Sequence, residues 1–145
     1  MIEKEEIRNI LSKIMPREPV AGVSPTDQDW KVLQDFFKTE LPHEFISFVE
    51  LMSEYAFPGD ILKVQEADVD GSDTILSTYQ HERKEGLWPP QLIPFYSVGN
   101  GDYFCLSAVE GNQSAVYYIY HEDMNVERYS NNFEEWIKDL PDFLS

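Results

Sequence analysis

The sequence holds a single cysteine, Cys105, so neither an internal disulfide nor a Cys-x-x-Cys redox or zinc motif can form. Set among Tyr103, Phe104 and Leu106, its thiol reads as a buried, inert strand residue. No apolar run approaches the ~18 residues that a membrane-spanning helix needs. The opening stretch MIEKEEIRNIL is charged and amphipathic, without the hydrophobic region of a secretory signal. A cytoplasmic protein that does not enter membranes is expected. Bases are scarce: 11 Lys and Arg stand against 27 Asp and Glu, a net charge of −16. That balance argues against direct binding to nucleic acid, whose phosphates would be repelled and whose counterions few cations could displace. The complementary partner is a basic protein, although acidity also serves simply to keep an intracellular domain soluble.

Catalytic groupings are equally sparse. The histidines His43, His81 and His121 fall in three separate elements and form no HxxxH or HxH pair. His121-Glu122-Asp123 is a local cluster of possible ligands, but it sits where a hairpin should turn, and adjacent residues seldom all face one ion. Ser97 and Ser114 lack a GxSxG context. Gly99-Asn100-Gly101 lacks the strand-to-helix setting and the lysine of a phosphate loop. The stretch DVDGSD at 68–73 invites comparison with a calcium loop, which needs Gly sixth and Glu twelfth. Counted from Asp68, Gly71 comes fourth and Tyr79 twelfth, so an acidic turn and helix cap is the reading. No metal, cofactor or enzymatic activity is expected.

What the sequence does hold is apolar patterning. At 145 residues with 42% hydrophobic content, the chain can bury the core of one domain spanning 1–145. Aromatics reach 14%, with 8 tyrosines, which suits sheets and protein interfaces alike. Ile7, Ile10, Leu11 and Ile14 mark a first helix that Pro16 stops. Ser24-Pro25-Thr26-Asp27 reads as the start of a second, with Ser24 as cap and Trp30, Leu33, Phe36 and Phe37 as its buried side. Leu41-Pro42 opens a third, with Phe45, Phe48, Val49, Met52 and Tyr55 at helical spacing, ended by Pro58-Gly59-Asp60. Ile61–Val64 is a short strand candidate. Ile75, Leu76 and Tyr79 support a fourth helix that Gly86 caps.

From Trp88 onward the chain reads as sheet: Leu92–Tyr96, Tyr103–Ser107, Ala115–Tyr120 and Asn125–Tyr129. The turns between them are short, so the strands should form an antiparallel meander. The stretch Leu92–Leu106 organises the rest. Tyr103–Ser107 carries large apolar groups on both faces and should be an inner strand covered on both sides. Asn131-Asn132-Phe133-Glu134 opens a last helix, striped by Phe133, Trp136, Ile137 and Leu140 and closed by Pro141. Helices, then sheet, then a helix gives an α+β fold: a central antiparallel sheet packed by several N-terminal helices and one C-terminal helix.

These segments also resemble a known family. Leu41–Phe48 (LPHEFISF) is similar to its LP-x-x-[FY]-x-x-F helix. LIPF at 92–95 followed by GNGDYFCL at 99–106 resembles its hairpin, and VYYIYHE at 116–122 its V-Y-x-[YF]-x-H-E strand. Asn131–Leu140 looks like its closing helix. The family is the SUKH superfamily, bacterial relatives of a yeast cell-wall-assembly regulator. The resemblance implies the same α+β fold and the role of an immunity protein that neutralises a polymorphic toxin, frequently a nuclease. It carries over no catalytic residue. Two positions depart: Ser107 stands where an acid is common, and Tyr55–Asp60 replaces a glycine-rich turn.

Two readings of function follow. One is a toxin-neutralising binder of a basic cognate nuclease domain, acting as a monomer or weak homodimer. The alternative is an intracellular adaptor or regulator related to the cell-wall proteins. The expected contacts for a basic partner are Asp68, Asp70, Asp73, Asp102, Glu122 and Asp123 for charge, with Trp88, Tyr96 and Tyr117 as anchors.

Overall fold

The computed structural model describes residues 2–17, 24–55, 57, 60–64 and 74–144. Five helices, α1 (Lys4–Ile14), α2 (Asp27–Phe37), α3 (His43–Leu51), α4 (Ile75–Glu85) and α5 (Phe133–Phe143), surround five strands. These are β1 (Asp60–Ile61), β2 (Leu92–Ser97), β3 (Tyr103–Ser107), β4 (Val116–Ile119) and β5 (Val126–Ser130), paired antiparallel in the order β1-β2-β3-β4-β5. The α+β meander expected from the short turns is the observed architecture.

β3 is the middle strand, and its alternation sorts the molecule into two cores. Phe104 and Leu106 enter the larger one, with Ile7 and Leu11 of α1, Phe45 and Phe48 of α3, and Phe133 and Trp136 of α5. Cys105 points the other way, into a smaller cluster with Trp88, Leu92 and Ile119. A bulge in β2 breaks simple alternation. Pro94 faces Cys105 and Tyr96 faces Phe104, so Phe95 is the extra residue. Two successive rings, Phe95 and Tyr96, consequently reach the larger core. Edge-to-face contacts then knit it: Phe95 lies 5.1 Å from Trp136, and Phe45 lies 5.3 Å from Phe133.

Several element boundaries differ from the sequence reading. Thr26, not Ser24, caps α2, in a reciprocal capping box with Asp29, while Ser24 Oγ donates to the Glu50 carbonyl. α3 ends at Leu51 with Met52 as its cap. Tyr55 is buried beyond that end, held through its hydroxyl to the Arg8 carbonyl and the Ser12 hydroxyl. β1 is only two residues long, and Lys63 forms a lone parallel bridge to Thr74 instead of extending it. α5 passes through Pro141 because its last turn is anchored by Phe143, 5.3 Å from Phe104. At that position proline costs the helix one hydrogen bond, and Leu144 N–H still reaches the Leu140 carbonyl at 2.8 Å.

The few bases are concentrated on the helical layer. Arg8 pairs with Glu5 and, at 3.1 Å, with Glu54, which Arg17 also meets. Lys4 meets Glu50, Lys31 meets Asp35, and Lys138 meets Glu134.

Candidate functional site

The nine expected contact residues part company in the fold. Trp88 is buried under the smaller core, edge-on to Tyr103, and its indole N–H donates to the Leu92 carbonyl at 3.0 Å. Tyr96 is turned inward by the β2 bulge and packs against Phe57, Phe104 and Trp136. Asp102 is buried as well, its carboxylate satisfied from within. These three therefore correct the sequence reading: they hold the fold together and offer no surface. Tyr117 is half-buried on the smaller-core face, its hydroxyl donating to Glu110 at 2.7 Å. Glu122 and Asp123 are exposed in the turn between β4 and β5. Asp68, Asp70 and Asp73 lie outside the described residues.

Asp102 is the centre of a clasp between two turns at one end of the sheet. Its carboxylate accepts the His121 backbone N–H at 2.9 Å and the Tyr118 hydroxyl at 2.7 Å, and His121 Nδ1 lies 2.7 Å away. The turn from β2 to β3 presents the group: Val98 N–H bonds the Asp102 carbonyl, and Asn100 Oδ1 accepts the Asp102 N–H. Gly101 must be glycine. Its φ is +98°, and a Cβ there would stand 2.9 Å from His121 Cγ. Burial pushes the Asp102 carboxyl up, but the hydrogen bonds from His121 and Tyr118 outweigh it and bring the pKa down to about 2. The His121 imidazole, hydrogen-bonded to Asp102, is correspondingly raised. A carboxylate held ionised by these donors, with a half-exposed histidine beside it, joins the two turns.

Beside this clasp lies a row of aromatics that no sequence motif announced. Tyr118 of β4 packs on the larger core, and Tyr120, just past the end of that strand, places its ring 4.7 Å from it. Tyr129 is the extra residue of a second bulge, in β5, and stands 4.8 Å from Phe104. Phe143 at the end of α5 completes the row, 6.5 Å from Tyr129. Tyr120, Tyr129 and Phe143 are 40%, 39% and 37% exposed. Each outer hydroxyl donates to a carboxylate: Tyr120 to Glu127 at 2.7 Å, Tyr129 to Asp139 at 2.6 Å. Burial and the Asp139 hydrogen bond push Tyr129 up to about 12, so the phenol keeps its proton and its geometry. The sole signal in the sequence is the alternation of Tyr118 and Tyr120 along one strand face.

A concavity of about 470 Å³ lies where the N-termini of α3 and α5 converge, lined by His43, Asn112, Ser114 and Asn132 among others. Glu44 and Glu134 share its wall, which opposes the anions that helix N-termini would otherwise attract. Among the described residues no three His, Cys, Asp or Glu side chains are grouped to hold a metal ion. No helix among them is long and apolar enough to cross a membrane.

A five-stranded antiparallel meander packed by helices, with α4 reaching the smaller cluster through Tyr79, defines the class. The family model described as SMI1-KNR4 cell-wall (SUKH_5) matches residues 5–142, and the chain belongs to that family. A solved protein from Pseudomonas syringae pv. tomato is similar in fold. It is 17% identical, with 94% of this chain and 96% of that one covered, at a TM-score of 0.64. No curated protein matches the chain.

Proposed function

We propose that this protein is a cytoplasmic immunity protein that binds a basic toxin domain, a nuclease, and neutralises it by direct contact. The observation that carries the reading is electrostatic. A net charge of −16 is set on a fold in which Lys4, Arg8, Arg17, Lys31 and Lys138 are drawn into ion pairs with neighbouring acids. Such a surface accelerates encounter with a cationic protein and repels nucleic acid, the substrate such a toxin must be kept from. Glu122 and Asp123 are exposed acids suited to that role, with Asp68, Asp70 and Asp73 entering on chemistry alone. Tyr117 is a partly accessible anchor. The protein acts by occupying surface and performs no catalysis of its own. Membership of the SUKH family supports the reading, since immunity is the role that resemblance implies.

The family description names cell-wall proteins, which favours a second reading, an adaptor that uses the same surface on cellular partners. Co-expression with the toxic domain encoded beside this gene separates the two. Survival of the cells, with a complex that weakens as salt rises, supports immunity. Cells that die as fast with this protein as without it, and no complex at low salt, refute immunity and leave the adaptor.

A further inference from the structure

We propose that the row Tyr120–Tyr129–Phe143, with the carboxylates Glu127 and Asp139, is the docking surface for an arginine-bearing face of a basic protein. The inference rests on the binder reading above and locates where it acts.

Three features single out this face. First, it lies on the rim of an edge strand. β5 pairs only with β4, and four of its five residues are exposed. Second, its aromatics are fixed in advance. Tyr120 and Tyr129 are tied through their hydroxyls to Glu127 and Asp139, so little rotamer freedom remains to be lost on binding. Third, its charge is predominantly negative. Lys138 of the adjoining helix is paired with Glu134. Arg128 projects on the opposite face of the sheet, opposite Tyr117 in register. Asp142 and Asp123 add to the field felt by Tyr129 and Tyr120 respectively.

The chemistry of that arrangement selects a guanidinium. A carboxylate that accepts one phenol hydroxyl keeps lone pairs for a planar, forked donor. The flanking ring offers its π face, where arginine stacks better than lysine. Strand addition is the competing use of an edge. Here the edge carries Glu127 and Arg128 and is bent by the bulge at Tyr129, features that protect edges against pairing. Side chains, not backbone, are therefore the contact.

The test is an NMR titration of the full chain at low salt with acetylated, amidated hexa-arginine, and with hexa-lysine in parallel. Shifts should concentrate in Val126–Ser130 and around Phe143, with hexa-arginine tighter by about threefold or more. Glu127→Gln combined with Asp139→Asn should weaken binding about fivefold or more. The charge-matched exposed pair Glu6→Gln with Glu85→Gln should have little effect. Shifts spread over the whole acidic surface, or equal weakening by both pairs, overturn the proposal and leave the immunity reading standing. New exchange protection along β5 that ignores Glu127 and Asp139 overturns it in favour of strand addition. Focused docking of the peptide in a protein that fails to protect cells supports the surface and refutes immunity.

Discussion

Replacing Asp102 by asparagine tests the clasp most directly. The substitution keeps the volume but removes the charge that holds two turns together through His121 and Tyr118. An ordinary aspartate titrates at 3.8, and this one at about 2. Each tenfold change in proton affinity is worth about 1.4 kcal/mol, so the ionised group stabilises the fold by roughly 2 kcal/mol near neutrality. The group's folded pKa is depressed. Its contribution is therefore complete above about pH 4 and lost as the pH falls toward 2. His121 acts in the opposite sense. Its pKa is raised above 6.5, so what its ring adds is present below that value and lost as the pH rises through the folded pKa. The two overlap in mildly acidic solution, where the clasp is strongest.

Urea unfolding followed by tryptophan fluorescence, at intervals from pH 3 to pH 8, measures the effect. At pH 6, Asp102→Asn should lose about 2 kcal/mol, equivalent to roughly 4–8 °C in melting temperature for a chain of this size. At pH 3 the gap should shrink to about half, because the wild-type carboxylate is then partly protonated in both states. His121→Ala should cost less at every pH, since the backbone N–H at 121 remains. A difference between wild type and Asp102→Asn that stays the same from pH 3 to pH 6 would refute the reasoning, since a lost charge must show a titration.

Other expectations follow from single contacts. Cys105 is fully buried with its thiol pKa pushed well up by burial, so a thiol reagent should label it only when denaturant is added; fast native labelling would contradict the two-core sheet. Trp30 is buried with an indole N–H that has no partner, whereas that of Trp88 is bonded. Trp30→Phe should therefore change stability by less than about 1 kcal/mol, and Trp88→Phe should cost about 1–2 kcal/mol more, by urea titration of both. Gly99→Ala meets open space at φ +101°, while Gly101→Ala meets His121 as well. The first should cost about 1 kcal/mol, the second distinctly more, and only the second should disturb the His121 ring resonances.

Much of the fold was legible because local signals agreed with one another. The apolar stripe of α1, the alternation of β3 and the N-cap asparagine of α5 all point the same way as the final packing. Where the reading slipped, a tertiary partner decided. Ser24 is as good a cap as Thr26 by type, and Asp27 follows it at the same spacing as Asp29 follows Thr26, but the Ser24 hydroxyl is taken by the Glu50 carbonyl and the Ser53 hydroxyl at the end of α3. Pro141 is a helix terminator by type. Phe143 has a larger incentive, contact with Phe104 and Tyr96, which carries the helix past it.

The site was far less legible, for a reason rooted in separation along the chain. A lone tyrosine and a lone acid have no local signature as a pair, and those that matter here meet from distant segments: Tyr118 with Asp102, Tyr129 with Asp139. Composition predicts that an acidic, tyrosine-rich chain will contain such pairs without saying which. Burial then inverts the obvious choices. Trp88 and Tyr96, the most anchor-like residues by type, lie where the β2 bulge and a reachable carbonyl make them more useful to the core. Tyr129, which is not among the expected contacts, is lifted to the rim by a bulge that alternation alone cannot foresee. The docking surface proposed above, made of ring faces and carboxylate lone pairs, is thus concealed in the sequence until the register of the strands is known.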